Sequence, residues 1–366
     1  MKFVCNGITL ADAAITVSKA CAVKTLKPVM ECIKIEAKND VLTLTAYDGE
    51  ICIEQKIVCD VMEEGEICVN GKFFSDFINK IDEMNVVFET DDTGLIIKYG
   101  DSKTKIQVLS AADFPYVGGT AENEYIEIKE KDLKNLIAKT VFCAATDDSR
   151  PILKGVLLEN KGDVLYASAL DGFRMAVSEV KATDKTGDLK IVCPARTLTE
   201  ISRMIEGTDE TVKLFVEKNT LSIKVKETVL ISRLYTGEFV KKENIFPNEF
   251  ATVVTLEKTD LIESIERASV MIRGDKNNLV VLDIKQTGIF ITANSEMGNV
   301  AETVNADVEG GDLKIAMNGK YLLDALKALD EDKVKISFNT PVSPFTIVNA
   351  EEKGSEYLVL PVRMGA

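Results

Sequence analysis

The chain has 366 residues, of which 46% are hydrophobic and 28% charged, and its net charge is −15. That length accommodates two or three domains, each large enough to bury a core of its own. There is no histidine, which removes Ser-His-Asp and Cys-His catalysis and HExxH zinc sites together. Walker A and GxGxxG patterns are also missing, although carboxylates and lysines leave catalysis formally open.

The opening MKFVCNGITL carries one basic residue and no cleavable apolar region, so it does not read as a secretory signal. No apolar run approaches the roughly 20 residues of a membrane span. A cytoplasmic protein without a membrane partner is expected. Residues 10–24 then read as a helix, followed by the strands ECIKIEA, LTLTAYD and EICIEQKIV. A second helix follows in NGKFFSDFINKI (70–81), where Phe73, Phe74, Phe77, Ile78 and Ile81 recur at helical spacing. The strands NVVFET and TGLIIKY close this first unit.

The unit is then repeated. Lys72, Arg196 and Lys320 stand 124 residues apart at each step, as do Asp76, Glu200 and Asp324. Asp48 recurs as Asp171, 123 residues on, and Ser295 takes its place 124 residues later. First helices are expected at 10–24, 131–142 and 259–273, and second helices at 72–81, 196–204 and 320–329. Loop-like stretches at 115–124 and 240–251 separate the units. The fold expected is α+β, as three tandem domains at 1–120, 121–246 and 247–366. A period this long means duplicated whole domains rather than a solenoid.

Eight cysteines, never spaced as CxxC, read as buried reduced thiols. Neither a metal site nor a cofactor is called for. The six helix windows together carry +5, which leaves about −20 on the rest of the chain. Basic residues on equivalent helices could simply be solvated helix faces. They could equally line one surface that follows a polyanion through its phosphates, without reading sequence.

The segments MKF, LSAADFP (109–115), SRPILKG (149–155), ALDGFRMAV (169–177) and YLVLPVRM (357–364), with the triple duplication, resemble the bacterial DNA polymerase III beta subunit family, the sliding clamps. The resemblance covers the whole chain. It implies a head-to-tail homodimeric ring with helices inside and antiparallel sheets outside. Such a ring would encircle duplex DNA, tether the replicative polymerase, and do no bond chemistry. Clamp loader and repair proteins would dock through short apolar peptide motifs.

By the same resemblance the peptide pocket would be lined by Leu153, Leu170, Gly172, Phe173, Arg174, Met175, Val240, Ile245, Pro344, Leu358 and Leu360. Phe173, Leu170 and Val240 depart from the family's usual histidine, threonine and proline, which implies a greasier pocket. An ordinary Asp-Gly hairpin turn would account for LDGFR equally well. DNA contacts map to Lys24, Lys27, Lys72, Arg150 and Arg196, with no equivalent of the Lys27-Pro28 and Arg150-Pro151 pairs in the third domain. The dimer interface would use Val270 and Met271. An enzyme built on carboxylates such as Asp147 and Asp148, and a scaffold binding proteins only, are the rival readings.

Overall fold

A computed structural model describes residues 1–115, 124–272, 278–296, 298–351 and 354–363. The stretch expected to separate the first two units falls largely outside the described residues. Among those described are six α-helices: α1 Gly7–Ser18, α2 Gly71–Ile78, α3 Glu130–Ala138, α4 Ala195–Met204, α5 Lys258–Met271 and α6 Gly319–Lys327. All six expected helices are present. The first begins earlier than expected because Asn6 caps it, its Oδ1 accepting from the amides of Ile8 and Thr9. It also stops at Ser18, whose hydroxyl turns back to the Ile15 carbonyl, so 19–24 leave the helix.

The repeated Asn-Gly-Lys of copies one and three is a capping device. Asn70 Oδ1 accepts from the Phe73 amide, and Asn318 Oδ1 accepts from those of Lys320 and Tyr321. The following glycine answers to space. A Cβ on Gly319 would sit 2.8 Å from Val280 Cγ2, closer than side-chain atoms pack. Copy two has Pro194 here and no side-chain cap.

Among the described residues every ladder is antiparallel, and the strands form four sheets. Each domain contributes two half-sheets. In the first domain these are Asp60–Glu63, Lys2–Cys5, Val86–Asp91, Gly94–Tyr99 and Ser102–Ile106, in spatial order, and Ile51–Val58, Val41–Tyr47, Cys32–Lys38 and Gly65–Asn70. The other two domains repeat this order. Their half-sheets fuse across the domain boundaries, which is why two of the four sheets have nine strands.

The first fusion pairs Thr228–Arg233 of domain 2 with Ile51–Val58 of domain 1, Ile231 opposite Cys52. The second pairs Ser355–Val359 of domain 3 with Arg174–Lys181 of domain 2, Leu358 opposite Met175. Strand residues alternate inward and outward, as Val41–Tyr47 does with Leu42, Leu44 and Ala46 fully buried. The helices pack in pairs against the inner faces, Leu10, Ala14 and Val17 of α1 against Phe74 and Ile78 of α2.

All eight cysteines are free, and seven of them are buried. Burial pushes the Cys52 and Cys143 thiols up to about 12, so both stay protonated and unreactive at neutral pH.

Candidate functional site

Most of the expected pocket residues gather at the joint of domains 2 and 3. Leu153, Leu170, Met175, Val177, Phe246 and Leu358 form a buried apolar cluster separate from the main core. Ile245 and Leu360 pack against it, half-buried. Its walls come from both domains. Leu170 ends one strand, Met175 and Val177 share a face of the next, and Leu358 lies opposite Met175 across the fused ladder. The floor of the cleft exists only because the sheets join here.

Asp-Gly turn 171–172 forms the rim. Asp171 Oδ1 accepts from the Phe173 and Arg174 amides at 2.9 and 3.0 Å, and Gly172 has φ +92°, a conformation that favours glycine. The Phe173 ring is 60% exposed and stacks on Tyr321 of α6, centroids 6.4 Å apart. Its carbonyl accepts from the Leu360 amide at 2.8 Å. Val240 is exposed on the connecting segment. Pro344 directly precedes the strand Phe345–Asn349, whose first residue pairs with Val359.

Arg174 does not offer its charge to the cleft. Nε donates to Asp171 Oδ2 at 3.0 Å, Nη1 to Asp324 Oδ2 at 2.6 Å, and Nη2 to the Phe142 carbonyl at 2.8 Å. The guanidinium also lies 4.4 Å from the Tyr321 ring centroid. Arg174, expected among the pocket residues, thus has its guanidinium held by the turn and by α6.

Sequence reasoning missed Val177, Phe246, Ile152 and Phe239, all of which belong to or flank the cluster. Val177 was signalled by its position two residues after Met175 in a strand. Phe246 lies in a stretch that reads as linker, and nothing local marks it as cleft wall. The cleft continues into a groove of about 1230 Å³ across the outer sheet face, past Tyr166, Phe239 and Val240.

Of the basic residues, Lys24, Lys27, Lys72 and Arg150 are exposed and enter no ion pair among the described residues. Arg196 is different. Nη1 pairs with Asp48 of domain 1, and Nη2 donates to the Lys19 carbonyl at 2.7 Å. Val270 near the end of α5 is 62% exposed, and Met271 reaches to 3.5 Å from where a Cβ on Gly298 would stand.

Three tandem α+β domains with fused antiparallel sheets and helices packed in pairs define the DNA-clamp class of fold. Family models for the DNA polymerase III beta subunit match in order along the chain: the N-terminal domain at residues 1–118, the central domain at 127–241 and the C-terminal domain at 243–363. A beta sliding clamp from Staphylococcus epidermidis is 32% identical over 356 residues, covering 94% of each chain. The crystal structure of the Bacillus subtilis DNA polymerase sliding clamp superposes with a TM-score of 0.95 at 30% identity over the full length of both chains. A Pseudomonas aeruginosa sliding clamp bound to griselimycin gives 0.92 at 25% identity, again over both full lengths. The chain belongs to the DNA polymerase III beta subunit family, the bacterial sliding clamps. Its function is that of the family, a processivity clamp in DNA replication.

Proposed function

We propose that two copies of the chain close head to tail around duplex DNA as a ring of six equivalent domains, with limits at 1–120, 121–246 and 247–366. The ring holds the replicative polymerase at the template by topology, does no bond chemistry, and works in the cytoplasm on the nucleoid. The cleft at the joint of domains 2 and 3 docks apolar peptide segments of the polymerase, the clamp loader and repair proteins. The apolar cluster and its aromatic rim support that assignment.

One observation carries the ring: the two sheet edges left over. Ser102–Ile106 ends the first sheet and Gly298–Val304 ends the last. Ser102–Ile106 holds the place in domain 1 that Thr228–Arg233 and Ser355–Val359 hold in the other two domains. Gly298–Val304 holds the place of Ile51–Val58 and Arg174–Lys181. Both intrachain joints are made by pairing these two kinds of strand. A third joint of the same kind needs a second copy, and carrying the register across sets Lys105 opposite Asn299 of that copy.

An open edge of peptide donors and acceptors is a template for such pairing. Val270, on the helix packed beside Gly298–Val304, and Phe73 of α2 are 62% and 54% exposed, and would be covered by the closed joint together with Met271. Lys24, Lys27, Lys72 and Arg150, exposed and unpaired, would meet phosphates from the inside without sequence preference, and Arg196 would add its partly satisfied charge. Contacts this weak permit sliding.

Sedimentation at micromolar concentration tests the ring, with twice the 40.2 kDa chain mass as the expected result. After treatment with a clamp loader, the protein should stay on a nicked circle and run off when the circle is linearised. Equal retention on both forms, or monomer mass throughout, would overturn the reading.

A further inference from the structure

Both intrachain joints are closed by the same device. In each, the aspartate of a turn uses one carboxylate oxygen to hold the turn's amides, as Asp48 does for Glu50 and Ile51 and Asp171 does for Phe173 and Arg174. The other oxygen takes a guanidinium. A second guanidinium nitrogen donates to a carbonyl just beyond a first helix, that of Lys19 in domain 1 for Arg196 and that of Phe142 in its own domain for Arg174. At the joint of domains 2 and 3, however, the arginine sits on the turn itself, and domain 3 answers with Asp324 of α6.

We propose that Asp324 is a positioning residue for peptide docking: through Arg174 it locks α6 of domain 3 to the rim of the cleft in domain 2. The proposal rests on reading the cleft as the docking site. Arg174 stands between Phe173, whose ring forms the rim, and Met175, whose side chain forms the floor. The Phe173 ring rests on Tyr321, three residues before Asp324 on α6. The Phe173 carbonyl holds the Leu360 amide, so the lock also fixes the domain 3 wall. Side chains of Arg174 and Asp171 are 10% and 15% exposed, and that of Asp324 28%, so solvent screens this ion pair little. A docked peptide meets a cleft already shaped by the lock, which lowers the ordering cost of binding.

Replacing Asp324 leaves Arg174 paired with Asp171, so the domain keeps a compensated buried charge and should fold. This makes a clean double-mutant cycle possible with Asp324→Ala, Arg174→Ala and both together, using griselimycin as the probe in calorimetry. Asp324→Ala should weaken binding roughly tenfold, and the double variant should bind no worse than Arg174→Ala alone. Unchanged affinity in Asp324→Ala, with a loss in Arg174→Ala that persists in either background, would mean that Arg174 touches the ligand directly and would overturn the proposal. Amide exchange at Leu360 supplies a second readout that needs no ligand. The lock predicts faster exchange in Asp324→Asn, and wild-type exchange would sink it. If the wild-type protein fails to bind griselimycin while Leu360 exchange rises in Asp324→Asn, the docking reading fails and the lock stands alone as a structural device.

Discussion

The two intrachain joints use one hydrogen-bond scheme and end in different surfaces. Glu50 and Phe173 hold the same place, their carbonyls accepting from the Arg233 and Leu360 amides at 3.0 and 2.8 Å. Behind them the joints diverge. Where domain 2 has Leu153 and Leu170, domain 1 has Met30, packed into a small cluster with Val29, Cys32, Cys68 and Ala111, and Tyr47, bonded to the Gly49 carbonyl. The Glu50 carboxylate takes the Tyr235 hydroxyl at 2.8 Å, and burial, then this bond, push the Tyr235 phenol above its ordinary range. The turn of the first joint carries a polar contact to Tyr235, whereas the second leaves apolar side chains lining a cleft. Equivalent backbones thus carry different side chains at the two joints, and the apolar set at the second is what the docking proposal rests on.

The largest effect is expected at the proposed joint between two copies. Met271→Glu should convert dimers to monomers, read as a halved mass in sedimentation, because a carboxylate would be buried against the second copy. Unchanged dimer mass would remove Met271 from the interface. At the docking joint, Leu358→Ala should cost about 2–4 kcal/mol of stability, since Leu358 is 2% exposed, and should weaken griselimycin binding at least roughly tenfold. A stability loss without an affinity loss would place the ligand elsewhere.

In the proposed third joint Ser295 and Lys72 would take the places that Asp48 and Arg196 hold in the first. Installing the missing pair as Ser295→Asp with Lys72→Arg should slow subunit exchange roughly two- to fivefold, the range of a partly exposed ion pair. Unaltered exchange would show that the latch does not transfer. At the joint of domains 1 and 2, Tyr235→Phe should lower stability by about 1 kcal/mol and leave griselimycin affinity unchanged, so a thermal shift without a binding change is the expected pattern. The smallest effect belongs to Lys24→Gln, which should lower the salt concentration at which DNA-loaded rings let go, a change of about one phosphate contact.

Periodicity carried much of the architecture. The 124-residue step placed the three second helices and recurring patterns ahead of them placed the three first ones; all six are there, with ends shifted where Asn6 and Ser18 made local hydrogen bonds that outweighed hydrophobic spacing. That Leu153, Leu170, Met175 and Leu358 come together was legible only through family resemblance, because nothing local brings strands 150 or more residues apart into one ladder. The two arginines show the limit most clearly. Arg196 follows the repeat of basic helix positions and reads as a phosphate contact, yet its guanidinium is held by Asp48 and the Lys19 carbonyl. Arg174 reads as a pocket residue, and nothing in the sequence shows that its guanidinium is held between two aspartates.

By itself the sequence determined that one α+β unit is used three times, that its chemistry does without histidine, and that basic residues gather on equivalent helices while the rest of the chain is acidic. These are properties of composition and spacing, which a linear chain carries openly. Only the tertiary structure decided that half-sheets fuse across domain boundaries, which joint stays apolar, and which arginine closes which joint. Those outcomes depend on non-local strand register and on carboxylates lying within about 3 Å of a guanidinium. Distances of that kind are set by packing two domains together and are not written in either one.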